Sequence, residues 1–482
     1  MNHKFATKGS IGALATYFLI GFYLILKYRN DYTSEEKTLY LIILFTYIVT
    51  AGLLVLAKIQ YDLYIFEPLT FVGILYIAIY VYRPMVDLYN DELSVWGINV
   101  LNGGIKATVI FLLAFIAIFF GYYGAFRHNY IKQKKVGVFQ NTNEQTCEYY
   151  NFKYVLFGWS ICFILCIVCM ISEGISLQYI FSLASAGEKT IDESNTALLF
   201  LANFVMTMIT LWMMIWIQSG KKVTKVIITL LTLIYLIVRN SRIFLLILVG
   251  APITYYYTKK KKSPNMAYIV IVGTLLLAIF AWMQVNRGNI QAGRSLTGWG
   301  DGGFTIDKLF SPFDSDLTTY KPFYGMVVQY PKNYEYEMGR SYLYTFVLFI
   351  PRILWKGKPA NPASEIVENS LNYQARISGQ AYSGIAEFYA NFGVLGTIVL
   401  SFLFGKLLSK CKKLYQEPTP DRLIIYSILY PFLFQLVARG NFAGNFYAFL
   451  FAIIPFLCKR MMKIFWGGKK HENHSSSSGT TT

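Results

Sequence analysis

Charge is scarce in this sequence. Only 15% of the 482 residues are Asp, Glu, Lys or Arg, against about 25% in soluble globular proteins, too few for a fully wetted surface. Histidine is scarcer, confined to His3, His128, His471 and His474. No cysteine falls within residues 286–388, so that stretch is not held by disulfides. Alternating ten-residue strands are missing, which argues against an outer-membrane barrel. Low complexity is limited to the tail Ser475–Thr482, and no internal repeat is visible.

Apolar residues are abundant, at 55% hydrophobic and 17% aromatic. They arrive in blocks of about 15–22, the length that crosses a ~30 Å hydrocarbon layer at ~1.5 Å per helical residue. The pattern predicts an all-α polytopic membrane protein and excludes a soluble enzyme or secreted domain. Twelve spans are expected, near 9–27, 38–57, 65–82, 105–125, 154–172, 196–217, 225–238, 243–258, 266–285, 389–409, 422–438 and 445–463. The first block is long enough to span and has no small-residue cleavage site after it, so it is expected to be retained.

Orientation follows from Lys and Arg in the short loops. With a cytoplasmic N-terminus, the inside segments hold 25 of the 44 basic residues and 6 of the 26 acidic ones. The whole excess of positive charge then lies inside. The basic balance is therefore a topology signal and does not call for nucleic acid. Both termini are expected in the cytoplasm.

Residues 1–285 would hold nine membrane helices and 389–465 the last three, with a disordered cytoplasmic tail over 466–482. Between them, residues 286–388 form one large extracytoplasmic loop. It is rich in Tyr and Trp, carries an amphipathic stretch from Leu343 to Trp355, and is expected to rest on the membrane surface as short interfacial helices. Function is expected there.

Several residues could carry chemistry. Arg239-Asn-Ser-Arg242 interrupts an apolar run from Val226 to Tyr257. Arginine near the membrane is costly and normally has a cavity or a partner. Two guanidiniums side by side suit a diphosphate, because each fork binds phosphate oxygens bidentately. The bland alternative is a tight turn at the headgroups. Arg439-Gly-Asn-Phe-Ala-Gly-Asn445 forms a second arginine-tipped hairpin on the same side. The loop adds Arg287, Arg294 and Arg340, then Arg352, Lys356 and Lys358 around Trp355, a cluster that could equally anchor an interfacial helix.

Ser383-Gly-Ile-Ala-Glu387-Phe-Tyr389-Ala-Asn391-Phe-Gly393 runs into the tenth span. Glu387 there is a candidate general base, or simply a carboxylate placed favourably in a first helical turn. Tyr389 and Asn391 are candidate acceptor or sugar contacts. Gly288–Ser295 has P-loop spacing with Arg in place of Lys, but follows a membrane helix and faces away from ATP. Asp314-Ser-Asp316 resembles the metal-holding carboxylates of nucleotide-sugar glycosyltransferases, yet nucleotide sugars are cytoplasmic and this loop is not. Cys162, Cys166 and Cys169 share one helix face without a His or carboxylate beside them, which fits small buried hydrophobes. Neither a metal nor a cofactor is expected.

The arrangement resembles the Wzy-type polymerases, which join lipid-linked oligosaccharide repeat units into O-antigen, capsule or exopolysaccharide. The resemblance covers the architecture of the whole chain. Its most distinctive residues are Gly339-Arg340-Ser-Tyr342, Phe349-Ile-Pro351-Arg352-Ile-Leu-Trp355-Lys356-Gly-Lys358-Pro359 and Gly384–Gly393, with Arg239 and Arg242 also fitting. It implies glycosyl transfer at the outer face of the bacterial plasma membrane from a glycan on undecaprenyl diphosphate. It also implies an acceptor hydroxyl on another lipid-linked repeat. The family analogy suggests a chain-length regulator and a flippase as partners. All four histidines are cytoplasmic in this topology, which turns attention from a His base to Glu387. On this reading Arg239, Arg242, Arg352 and Arg439 are expected to share one anionic site, with Arg340 and Lys358 contributing. Tyr320, Tyr324, Tyr342 and Tyr373 could stack on sugars. The rivals are a lipid-linked oligosaccharide flippase and a ligase of the O-antigen kind.

Overall fold

A computed structural model describes residues 8–95, 98–133, 150–172, 203–218, 220–239, 241–260, 264, 266–287, 298–299, 303–350, 354–371, 381–416 and 419–467. The described chain is helical, apart from one pair of two-residue strands, Ser94–Val95 and Ile98–Asn99.

Before the large loop come α1 (Lys8–Ile25), α2 (Ser34–Tyr61), α3 (Pro68–Tyr89), α4 (Leu101–Gln133), α5 (Phe152–Ser172), α6 (Phe204–Trp216), α7 (Lys222–Val238), α8 (Arg242–Lys260) and α9 (Met266–Val285). The loop contributes α10 (Ile306–Leu317), α11 (Tyr320–Gln329), α12 (Arg340–Leu343), α13 (Thr345–Leu348) and α14 (Pro362–Leu371). The chain returns as α15 (Gly384–Gln416), α16 (Pro420–Ala438) and α17 (Phe442–Gly467). Each of the twelve expected stretches thus contains a helix. Seven described helices, namely α2 to α5 and α15 to α17, are long and apolar enough to cross a membrane; Ile11–Ile25, Phe204–Trp216 and Val270–Val285 are shorter apolar segments.

Local chemistry sets the helix ends. Thr33 and Glu36 form a reciprocal capping box at the start of α2, which stops at Asp62 in the left-handed region. Within α3 the backbone widens to a π-turn over Ala78–Tyr82, just before Pro84, which has no N–H to donate. Gly393 (φ 64°, ψ −158°) breaks α15.

Contacts sort the helix ends into two sets. In one, Arg29 after α1 pairs with Asp91 after α3 at 2.7 Å, and Arg242 opening α8 donates to Gln284 near the end of α9. In the other, buried Glu67 accepts from Tyr122 at 2.7 Å and pairs with Lys412 at 2.8 Å, while Asp421 meets Tyr150 and Lys459. The large loop packs against the first set.

The core has two apolar bodies. One joins α2, α3, α4, α11 and α15; the other joins α5 to α8 and α17. Helix α16 serves both, presenting Tyr426, Tyr430 and Leu433 to the first and Ile424, Ile428 and Phe432 to the second. Helices α4 and α15 cross closely. A Cβ on Gly121 would overlap the Phe402 carbonyl, and one on Gly405 the Ile118 carbonyl. Small residues permit such backbone approach between membrane helices. Gly405→Ala is therefore expected to lower stability by about 2 kcal/mol through overpacking. A thermal-unfolding midpoint in detergent equal to that of the parent would contradict this account of the crossing.

The loop departs from the expected surface layer. Tyr320, Phe323 and Tyr324 of α11 are fully buried. The Tyr320 hydroxyl donates to Asp87 at 2.5 Å, and Tyr324 hydrogen-bonds Thr108 at 3.0 Å. A Cβ on Gly103 would overlap the Tyr324 carbonyl, so α11 lies directly against the start of α4. Tyr320 and Tyr324 are core residues with no exposed surface; Tyr373 lies outside the described residues. The stretch after Arg340 keeps an apolar exposed face, with Leu343, Phe346, Phe349 and Leu354 uncovered, as a membrane-resting segment requires. Cys162, Cys166 and Cys169 are buried in the second apolar body or against it.

Candidate functional site

The two arginine hairpins meet. Arg242, first residue of α8, donates from Nη1 to Gln284 Oε1 at 3.1 Å and from Nη2 to Asp316 Oδ1 at 3.3 Å. Arg439, closing α16, donates from Nη2 to the same Asp316 oxygen at 2.9 Å. Arg287, just past α9, lies within electrostatic reach of Arg242. Two cations from separate parts of the chain therefore converge on one carboxylate oxygen, with Arg287 near one of them. The side chains of Arg242 and Asp316 are 18% and 17% exposed and that of Arg439 is 41% exposed, so the cluster opens on the Arg439 side.

The Arg439 turn is fixed residue by residue. Arg439 leaves α16 in extended backbone (φ −132°, ψ 111°), and its carbonyl accepts from Asn445 Nδ2. Gly440 donates its N–H to the Tyr382 carbonyl, and any Cβ there would strike the Tyr382 ring. Asn441 sits at φ 81°, a conformation that Asn tolerates well, and its Oδ1 caps Gly444 N.

Glu387 holds this turn in place. Its Oε2 accepts from Asn441 N at 2.8 Å and Phe442 N at 3.0 Å, while Oε1 accepts from Ser341 Oγ at 2.8 Å and Phe442 N at 3.1 Å. The residue is 3% exposed. Both oxygens are thus committed to the N-terminus of α17 and to α12, which is the geometry of a cap and of a positioning carboxylate.

Two residues expected to touch sugar turn inward instead. Tyr389 is fully buried and donates to the Tyr330 carbonyl at 3.2 Å. Asn391, also fully buried, donates to Ser341 Oγ and the Glu387 carbonyl and accepts from Gly339 N. The break at Gly393 frees nearby carbonyls, and Glu337 N and Met338 N bond to those of Ala390 and Asn391. The Ser383–Gly393 motif is therefore a post on which the loop and the Arg439 hairpin are mounted.

Arg340 and Lys358 have other partners. Arg340 is half-exposed and pairs with Glu337 and Glu365, each at 2.6 Å. Burial raises the Glu337 carboxyl above the ordinary carboxylate range, and Arg340 pulls it back. Lys358 donates to the carbonyls of Leu348 and Ile350 at 2.8 and 2.9 Å, closing the end of α13. Arg239 caps α7 within electrostatic reach of Tyr235 and Cys166. Arg352 lies outside the described residues.

Asp316 was the residue undervalued in the sequence. Asp314 and Asp316 face arginines: Asp314 meets Arg83 at 2.8 Å and Asp316 meets the pair described above. Arg83 also pairs with fully buried Asp87, which Lys321 approaches at 3.0 Å. The available signal is charge balance, since arginine hairpins on either side of the loop in sequence need acidic partners.

The family model for the O-antigen polysaccharide polymerase Wzy matches residues 11–470. The chain belongs to that family. No curated protein and no solved structure matches it. Membership makes it a multi-pass membrane protein of a family that polymerises O-antigen repeat units and acts on lipid-linked oligosaccharides.

Proposed function

We propose that this protein is a membrane glycosyltransferase that polymerises undecaprenyl-diphosphate-linked oligosaccharide repeats at the outer face of the plasma membrane, with both termini cytoplasmic. Convergence of Arg242 and Arg439 on one carboxylate oxygen carries the reading, because it shows two forks already aimed at a shared anion. Arg242, Arg439 and Arg287 bind the lipid diphosphate, and the arginines offset the charge that develops as the sugar C1–oxygen bond breaks. Donor activation resides in the diphosphate itself, so no cofactor is needed. Glu387 positions the Arg439 hairpin, and α12 carries the acceptor side of the loop against it.

The decisive experiment supplies purified protein in lipid vesicles with one lipid-linked repeat unit and no other acceptor. A polymerase converts it to a ladder of increasing length. Absence of any product longer than the starting repeat would reject the assignment in favour of a flippase or a ligase.

A further inference from the structure

Asp316 occupies the position that the proposed function gives to the substrate. Two guanidiniums pointed at one spot repel each other, and partial burial raises the cost of leaving them without a counter-ion. Asp316 supplies that counter-ion in the resting protein. It does so from a helix that is itself clasped at two points: Asp314, two residues earlier, pairs with Arg83 on α3, while Asp316 pairs with Arg242 and Arg439 on α8 and α16. Helix α10 therefore lies across the cationic cluster, joining elements of both apolar bodies. Ile306 and Phe310 on α10 are exposed, so the helix is not sealed in on every side. It begins after Gly303 (φ 67°) and ends at the break between Thr318 and Thr319.

We infer that Asp316 holds the place of the lipid diphosphate, and that substrate entry exchanges one anion for the other and releases α10 from the arginines. This rests on the reading of the cluster as the diphosphate site. A carboxylate with one formal charge is a weaker partner for two forks than a diphosphate, whose several oxygens can engage both bidentately. The exchange is therefore favourable when substrate is present and reverses when the diphosphate leaves. The resident carboxylate also discriminates. A monoanion gains little over Asp316, whereas a diphosphate gains from both arginines. A ligand shifts such an equilibrium only by its differential affinity for the two states, and Asp316 sets that difference.

The test uses full-length protein in detergent micelles and farnesyl diphosphate as probe. Asp316→Asn removes the competing charge and is expected to tighten binding about tenfold, whereas loss of a merely structural ion pair would weaken it. Arg439→Ala is expected to abolish binding in either background. If parent protein binds the probe, Arg439→Ala does not, and Asp316→Asn binds no tighter than the parent, the diphosphate site stands and the exchange falls. If neither the parent nor Asp316→Asn binds it, both fall. Should Asp316→Asn fail to accumulate, Asp314→Asn frees the other end of α10 without touching the two arginines and is expected to tighten binding about threefold. Unchanged affinity in that variant overturns the exchange.

Discussion

Polymerisation is expected to fall about a hundredfold in Arg439→Ala and about tenfold in Arg242→Lys, both measured as product formed from a single lipid-linked repeat at matched protein levels. The two sizes differ for a physical reason. Alanine removes one of the two groups aimed at the developing negative charge, and that charge is most costly in a partly desolvated cleft. Lysine keeps the charge of Arg242 but not the planar fork. It cannot bond Gln284 and an anion at once with the 3.1 and 3.3 Å geometry seen here. Full-length ladders from Arg439→Ala would remove the cluster from the mechanism. An unchanged rate in Arg242→Lys would show that only charge at this position matters.

Glu387→Ala is expected to lose activity together with fold. Deleting the carboxylate strands the buried Ser341 hydroxyl, at about 1–3 kcal/mol, and the part-buried Asn441 N and Phe442 N at the start of α17, which cost less. Glu387→Gln is the more informative change. Its amide keeps one acceptor but turns an NH2 toward donors, so the hairpin carrying Arg439 loses part of its hold. For a positioning residue, the Gln variant should melt several degrees lower and bind farnesyl diphosphate more weakly, as well as polymerise slowly. A general base would behave differently: turnover would vanish while melting and diphosphate binding stayed at parental values. That second pattern would restore Glu387 to the chemistry.

Much of this was legible in the sequence, and the gaps have physical causes. Helix positions were readable because apolar block length is dictated by the thickness of hydrocarbon. The Arg242 and Arg439 hairpins were readable because arginine beside an apolar span demands a partner. That partner was not, since Asp316 lies 74 residues from Arg242 and 123 from Arg439, and nothing in linear spacing pairs them. Glu387, Tyr389 and Asn391 stood out for a sound reason, as polar groups entering a span. Their polar atoms are nevertheless spent on Ser341, the Tyr330 carbonyl and the 441–442 amides, distant segments invisible along the chain. The tyrosines of α11 misled because aromatic residues at an interface and aromatic residues in a core have the same composition.

The burial of α11 bears on how variants of this protein can be built. Tyr320, Phe323 and Tyr324 fill space between α3, α4 and α15, and Lys321 completes the charge balance around Asp87. Residues 303–371 are consequently no detachable module. Transplanting them to a different helical scaffold to alter specificity would carry off part of one core and leave a hole in the other. Changes confined to exposed side chains, such as Leu343 and the Ile306 and Phe310 side of α10, leave that interior untouched.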